Sequence, residues 1–438
     1  MTFRIFRHHP PKRLLIGLVL LGWLAITLFS CTGFNPRQTS GRTTEIEFWT
    51  MQLQPKFTDY FNQLIHEFET ANPSIQVRWV DVPWSGMESK ILTSVVAKTP
   101  PDVVNLNPNF ASQLAGRGAW LSLDDRIPAD VRAQYLPKIW QASQLDGQSF
   151  GIPWYLTTRI AIVNQALLKT AGVETPPANF KDLFQAAETL HTATGKYAFF
   201  STLVASDAAE VLESLVQQGV TLVNDDGTAA FNTPTTKAIF ANWVKLYQNG
   251  WVPKEVLTEG QRYGIDLFQR GESAVVQASP GFLQAIAKNA PSIAKNTIPA
   301  SQLTGKTGKK NVAVMNLVIP RDTDQPDAAV KFALFITNNT NQLSFAKAAN
   351  VLPSTQAALK DPYFSQLPAN PTVLDQARII SAEQLPNSEV LIPVMRNLKQ
   401  LQKLIYENLQ AAALQQKSVD QALNDAELAW NHLVIATD

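Results

Sequence analysis

Five histidines, one cysteine and 36 acidic residues are the raw material for catalysis in this 438-residue chain. Their spacing offers little of it. His8 and His9 sit near the N-terminus, and His66, His191 and His432 are scattered. No pair has the spacing that sets two imidazoles on one helix face around a metal, and helix-surface histidine is the simpler reading. Gly305-Lys306-Thr307 has the end of a phosphate loop without its beginning, because Ala300 stands where the first glycine belongs. Asn224-Asp225-Asp226-Gly227 starts like a calcium loop but lacks the later bidentate glutamate, so it reads as a tight turn. No Gly-x-Ser-x-Gly elbow is present. Neighbouring carboxylates such as Asp124-Asp125 occur, but the acid pair of a glycoside hydrolase is defined by its separation in space. The chemistry that remains is binding. A polyhydroxylated ligand needs aromatic plates for its C–H faces and amide, hydroxyl or carboxylate groups for its hydroxyls.

The elements that would position such groups are legible from periodicity. Glu45 to Trp49 alternates as a strand. Phe57, Tyr60, Phe61, Leu64, Ile65 and Phe68 form one helical stripe, stopped by Asn72-Pro73. Ile75 to Trp79 is a second strand, Met87 to Lys98 a helix, and Asp102 to Leu106 a third strand before a short helix at Phe110 to Gly116. Strand–helix alternation of this kind builds a parallel sheet covered by helices. A second unit follows, with strands near Ile160 to Val163 and Ala274 to Val276 and a helix from Gly281 to Asn289. Ser301 to Asn311 is polar and reads as a surface loop; Val312 to Ile319 is a strand. The C-terminal third is helical, and Ser418 with Gln421 makes a capping box. In open α/β sheets ligands sit beyond the carboxyl ends of the strands. Trp49 and Gln52 follow the first strand, Trp84 the second, and Asn105, Asn107 and Asn109 the third; Trp154 and Tyr155 open the second unit.

The N-terminus locates the protein. Arg4, Arg7, Lys12 and Arg13 precede the apolar run Leu14 to Phe29, and Leu28-Phe29-Ser30-Cys31 follows the pattern of a signal peptide ending in a small residue. A cysteine directly after that residue resembles a bacterial lipobox, whose thiol is lipidated. The run is shorter than the roughly 20 residues of a spanning helix, and an uncleaved signal anchor is the alternative. Residues 1–30 are thus read as a leader, and the polar stretch 31–43 as a lipidated tether. Removing the leader leaves 408 residues and takes four of the 37 Lys and Arg but no acid, for a net charge of −3. That balance argues against a nucleic-acid partner. The length suggests two lobes. With Cys31 lipidated, neither a disulfide nor a cysteine metal site is possible, and no metal or cofactor is expected.

Seven segments in order carry a family resemblance. They are Ile46-Glu47-Phe48-Trp49, Phe68 to Pro73, Pro101-Asp102-Val103-Val104, Asp146 to Pro153, Phe268 to Ala274, Ala328 to Phe332, and Val351-Leu352-Pro353-Ser354. Together they resemble the extracellular solute-binding proteins that feed sugars to ABC importers, the maltose- and trehalose-binding group. The resemblance implies an α/β, two-lobed, type II periplasmic-binding-protein fold, hinged, with central sheets flanked by helices. It implies one lobe of residues 44–153 and 311–353, a second of 154–310 and 354–438, and crossings near Trp154 to Arg159, near Asn296 to Ser301 and after Pro353.

Carried over residue by residue, the resemblance puts polar ligand contacts at Gln52 and Asn107 and an aromatic at Tyr155. Thr157 stands where many relatives have an acid, and Phe282 in Pro280-Gly281-Phe282 where they stack a tryptophan. Met315-Asn316 replaces glycines, and Arg396 holds the place of a cation. With Trp49 and Trp154 these make the expected site, and Thr157 and Met315 imply a ligand smaller than, or shaped differently from, a maltodextrin. The implied protein is not an enzyme. It is a monomeric, exported, membrane-anchored receptor facing the periplasm or cell exterior, which closes on a sugar or polyol and delivers it to an ABC permease. An exported carbohydrate-active enzyme, or a receptor serving a membrane sensor, is the alternative.

Overall fold

The computed structural model describes residues 43–437 apart from 208, 393 and 394. The expected leader and Cys31 lie outside them, and among the described residues no helix is long and apolar enough to cross a membrane. The alternation at the start of this region is strand β1 (Thr44–Met51). Helix α1 (Thr58–Ala71), β2 (Ile75–Val82), α2 (Trp84–Val96) and β3 (Val103–Leu106) follow. Both β2 and β3 pair with β1 in parallel, as strand–helix alternation requires. Helix α2 starts three residues earlier than its apolar stripe suggests, because Pro83 closes β2 and the chain turns at once.

After the short helix α3 (Pro108–Ala115) come β4 (Gly151–Thr158) and β5 (Ile160–Asn164). One residue, Arg159, separates them, yet they belong to different sheets. The second sheet adds β6 (Tyr197–Phe199), β7 (Ser273–Ala278) and β8 (Thr297–Ala300) in the order β8-β5-β7-β6. The chain returns to the first sheet through β9 (Lys310–Val318), runs through helices α9 (Pro326–Ile336) and α10 (Asn339–Ala349), and adds the two-residue β10 (Leu352–Pro353). The large sheet then reads β10-β4-β9-β3-β1-β2, and a short β11 (Ser388–Glu389) pairs with the start of β9. Strand β9 is antiparallel to both β3 and β4, so β4 runs parallel to β1–β3. The C-terminal ends of β1–β4 therefore share one edge. From that edge the chain crosses to the second sheet.

Each sheet has its own core. Phe48, Phe61, Trp154 and Phe345 meet behind the large sheet, with Trp154 stacked on Phe345 at 4.8 Å and edge-on to Phe61 at 5.9 Å. Strand β5 is buried on both faces: Ala161 and Val163 enter one core, and Ile160 and Ile162 another. Helices α4 (Phe180–Thr194), α5 (Glu210–Gln217) and α6 (Pro234–Gln248) cover the first of these faces together with α12 (Leu398–Ala413) and α13 (Val419–Thr437). Helices α7 (Gln261–Gln269), α8 (Phe282–Asn289) and α11 (Val373–Glu383) cover the other. Both sheets lie within one compact unit, Thr44–Asp438.

Two of the motifs considered for chemistry are structural. The Gly305-Lys306-Thr307 loop wraps the end of α5, where the Gln217 carbonyl accepts the Thr307 N–H at 3.0 Å and its hydroxyl at 2.8 Å. A Cβ on Gly305 would lie 2.5 Å from that same carbonyl oxygen, which is backbone and cannot step aside. Gly305→Ala should therefore cost about 1–3 kcal/mol of stability in urea denaturation, the range for overpacking. Asp226 accepts both the N–H and the hydroxyl of Thr228, making the turn read from the sequence.

Thr372 and Asp375 form a full capping box at the start of α11. Hydrogen bonds from Thr372, then the Arg378 guanidinium, hold the Asp375 carboxyl down at about 2. A depressed carboxylate stabilises the fold above its unfolded value of about 4, and that stability is lost as pH falls through its folded value. Solvent still reaches the side chain, 21 % exposed, and limits the contribution to about 1 kcal/mol. Asp375→Asn should lose that amount at pH 7 and only a small part of it at pH 2, where the folded carboxyl is about half protonated, by denaturation at both values.

Candidate functional site

The edge of the large sheet that faces the second sheet carries the polar and aromatic groups expected of a cleft. Gln52 leaves β1 exposed, with a left-handed φ of 53°. Asp81 braces this turn, accepting the N–H groups of Leu53 and Gln54 and the hydroxyl of Thr50. Asn107 follows β3 half-buried, its Oδ1 taking the Phe110 N–H at 2.9 Å to start α3. Trp84 follows β2 with 43 % of its surface exposed. From the other side, β7 pairs Ala278 with Ile160 at the crossing, so Ser279-Pro280-Gly281 ends at the same place. Phe282 begins α8 just beyond, 37 % exposed. Among the described residues Trp84 and Phe282 are the only exposed aromatic side chains.

Three expected contacts lie in the core instead. Trp49 points to the face of β1 under α2, where its Nε1–H donates to Glu47 Oε1 at 2.6 Å and Lys90 Nζ sits 4.1 Å from the ring centroid. Trp154 is fully buried among Phe48, Phe61 and Phe345. Asn316, 1 % exposed, sits at a register shift in β9, where its Oδ1 accepts the Ser143 hydroxyl at 2.6 Å. Consecutive residues are buried along these strands, so a side chain is enclosed whichever face of the sheet it takes. Tyr155 is also buried, against Trp154 and Phe345, and burial pushes its hydroxyl well above the ordinary tyrosine value. Thr157 stands half-buried at the crossing, lining a 90 Å³ recess with Ser279, Gly281 and Asn350.

Helix α12 approaches the large sheet from the other core. Lys399 Nζ pairs with Glu88 Oε1 of α2 at 2.5 Å. Arg396, exposed, borders a 310 Å³ recess whose remaining wall, including Gly116, Trp120, Asp146 and Gln148, belongs to the large-sheet side. Trp84 thus stands just past the carboxyl end of β2 in the first sheet, and Phe282 just past that of β7 in the second. Among the described residues no group of three or more His, Cys, Asp or Glu is placed to hold a metal.

Residues 54–343 match the family model of bacterial extracellular solute-binding proteins. The chain belongs to that family. A solved structure of a candidate oligosaccharide periplasmic-binding protein from Synechococcus sp. MITs9220 is similar at 42 % identity, covering 90 % of this chain and 99 % of that one with a TM-score of 0.84. The sugar-binding protein MalE from Xanthomonas citri shares the fold at 22 % identity and a TM-score of 0.74, over 90 % of this chain and 98 % of that one. An uncharacterised lipoprotein of Streptomyces antibioticus is 22 % identical over 350 residues, 77 % of each chain. The two-lobed, type II α/β architecture implied by the seven segments is the one observed.

This solute-binding protein also buries a charged cluster that spacing did not reveal. Arg159 donates to Glu213 Oε2 at 2.6 Å and lies 3.9 Å from Glu210 Oε1. Glu210 accepts the hydroxyl of Ser201 and the amide of Gln261. Burial pushes the Glu210 carboxyl up, with Arg159 opposing. Burial also pulls Arg159 down, but Glu213 and Glu210 outweigh it and hold the guanidinium above its usual value. Two acids serving catalysis would face each other across the ligand. Here both project from one helix toward the same arginine. The signal in the sequence was a pair of acids three residues apart on a helix that also carries the buried apolar residues Val211, Leu212 and Leu215. The Asp124 carboxylate is likewise structural, held by the Ser149 N–H and hydroxyl.

Proposed function

We propose that this chain is the sugar receptor of an ABC importer, capturing a neutral sugar or related polyol between its two lobes. The observation that carries the reading is the pair Trp84 and Phe282, an exposed aromatic plate from each lobe at a strand's carboxyl end. An exposed indole is expensive to leave in water, and C–H faces of a sugar are its natural cover. In this reading Gln52, Asn107, Thr157 and Arg396 would supply hydrogen-bonding groups to the ligand, and Tyr155 would lie at the base of the cleft. Lobe 1 is taken as residues 44–153 with 311–353, residues 154–159 as the crossing whose strand completes the large sheet, and lobe 2 as the remainder after the tether.

Closure follows from the ligand touching both plates, because a ligand shifts a two-state equilibrium only through differential affinity. The closed surface is what the permease would read. Lipid attachment at Cys31 would raise the local concentration of receptor at the permease. The lipoprotein relative and the oligosaccharide assignment of the Synechococcus protein support these finer points. The test is a thermal-shift screen of the full chain against neutral mono-, di- and oligosaccharides and polyols, with chromatography of each mixture. A ligand bound only by the native state raises the melting temperature with its concentration. At least one sugar should do so and be recovered intact. A sugar that is cleaved, or a panel with no stabiliser, would overturn the reading.

A further inference from the structure

Arg159 is the single residue between the two sheets, and it begins a closed ring of hydrogen bonds. Its carbonyl accepts Gln384 Nε2–H at 2.8 Å. Gln384 Oε1 accepts the Gln302 N–H at 3.2 Å, and Gln302 Oε1 accepts the Asn311 N–H at 2.9 Å. Asn311 Nδ2–H donates to Glu213 Oε1 at 2.8 Å, and Glu213 Oε2 takes Arg159 Nη1–H at 2.6 Å. Asn311 Oδ1 also accepts the Leu391 N–H at 3.2 Å. Gln302, Gln384 and Glu213 are buried, at 3 %, 2 % and 7 % exposure.

The ring's location is informative. Arg159 is the outward crossing from β4 to β5. Gln302 and Asn311 bracket the return from β8 to β9. Gln384 ends α11, and Gln384 to Leu391 brackets β11, which pairs with β9. Two crossings, the segment beside them and helix α5 of the second sheet are thereby tied to one another by side chains. The apolar cores on either side hold each lobe together without this ring. A buried polar ring that could be replaced by apolar packing is weak support for stability and better support for defined geometry.

We infer that Arg159, Glu213, Gln302, Asn311 and Gln384 are positioning residues for ligand capture. They hold the crossings in register, so that the lobes turn about one axis, and they set ligand affinity without touching ligand. The inference rests on the reading that a sugar is bound by lobe closure. A hinge whose strands move independently has more freedom to lose on closing, and that loss comes out of the affinity. The effect should fall mainly on dissociation, as it does for most changes in affinity among related complexes.

The test is the double variant Gln302→Met, Gln384→Met, which leaves the Arg159–Glu213 pair intact. Spin labels go on Thr93→Cys of α2 and Thr235→Cys of α6, both exposed, in a Cys31→Ser chain. Without any sugar, electron–electron distance measurements should show a narrow interlobe distribution in the parent and one at least about twofold broader in the variant. For a sugar found by the thermal-shift screen, the variant should bind roughly tenfold more weakly through faster release. Should the double variant not fold, Gln384→Met alone carries the same test, because it keeps the Gln302–Asn311 bond. A folded variant with the parent's distance width and the parent's affinity overturns the inference. The width is read without ligand, so a parent chain that binds no sugar refutes the proposed function and not this one.

Discussion

Trp84→Ala should weaken sugar binding about 30- to 150-fold while leaving the melting temperature of the free protein unchanged. The indole is 43 % exposed at the first position of α2, so its removal opens no core cavity. What is lost is the cover that the ring and the sugar give each other. Burying an aromatic face is worth about 2–3 kcal/mol, and each 1.4 kcal/mol is about tenfold in affinity. Phe282→Ala should act the same way from the opposite lobe, more weakly, because the ring is smaller. Calorimetric titration of both variants with the stabilising sugar checks this. Tyr155→Ala would not be as clean. Tyr155 packs against Trp154 and Phe345, and truncating it costs about 3–5 kcal/mol of core stability, which would lower apparent binding for the wrong reason.

Arg159→Met should destabilise the protein by about 3–5 kcal/mol at pH 7, the cost of leaving a buried charge without its partner. Glu213 would keep only the Asn311 amide, and Glu210 only Ser201 and Gln261. Glu210, whose carboxyl burial already pushes up against the opposing Arg159, would then prefer its protonated form in the folded state. A group whose folded pKa lies above its unfolded one binds protons more tightly when folded, so folding gains as pH falls. The deficit of the variant relative to the parent should shrink as the pH is lowered from 7 toward 5. Urea denaturation across that range is the measurement. A deficit independent of pH would mean that Arg159 acts by packing alone.

The order of elements and the sheet edge were readable because they depend on period and punctuation. The stripe Phe61, Leu64, Ile65, Phe68 became the buried face of α1, and Ser418 caps α13 by accepting the Gln421 N–H. Aromatic residues were harder to place. Trp49 lies near the end of β1, Trp154 in the middle of β4 and Trp84 just past β2, and only Trp84 reaches solvent. The difference is parity along a strand and what packs above it, which one chain's spacing does not settle when both sheet faces are covered. Asn316 was hidden for a related reason: the register shift between Met315 and Asn316 sends its amide to Ser143 rather than outward. The hinge ring was invisible because its members, Arg159, Glu213, Gln302, Asn311 and Gln384, lie up to 225 residues apart and are ordinary surface residue types. Only the fold brings them to one place.

The most direct test of the account is a crystal structure of the chain with the sugar that most raises its melting temperature. The sugar should lie between the two lobes, with one C–H face on Trp84 and another on Phe282, and with hydroxyls bonded to groups at the Gln52 and Asn107 edge. A sugar bound elsewhere on the surface, or one in the cleft that leaves both rings in solvent, would contradict it.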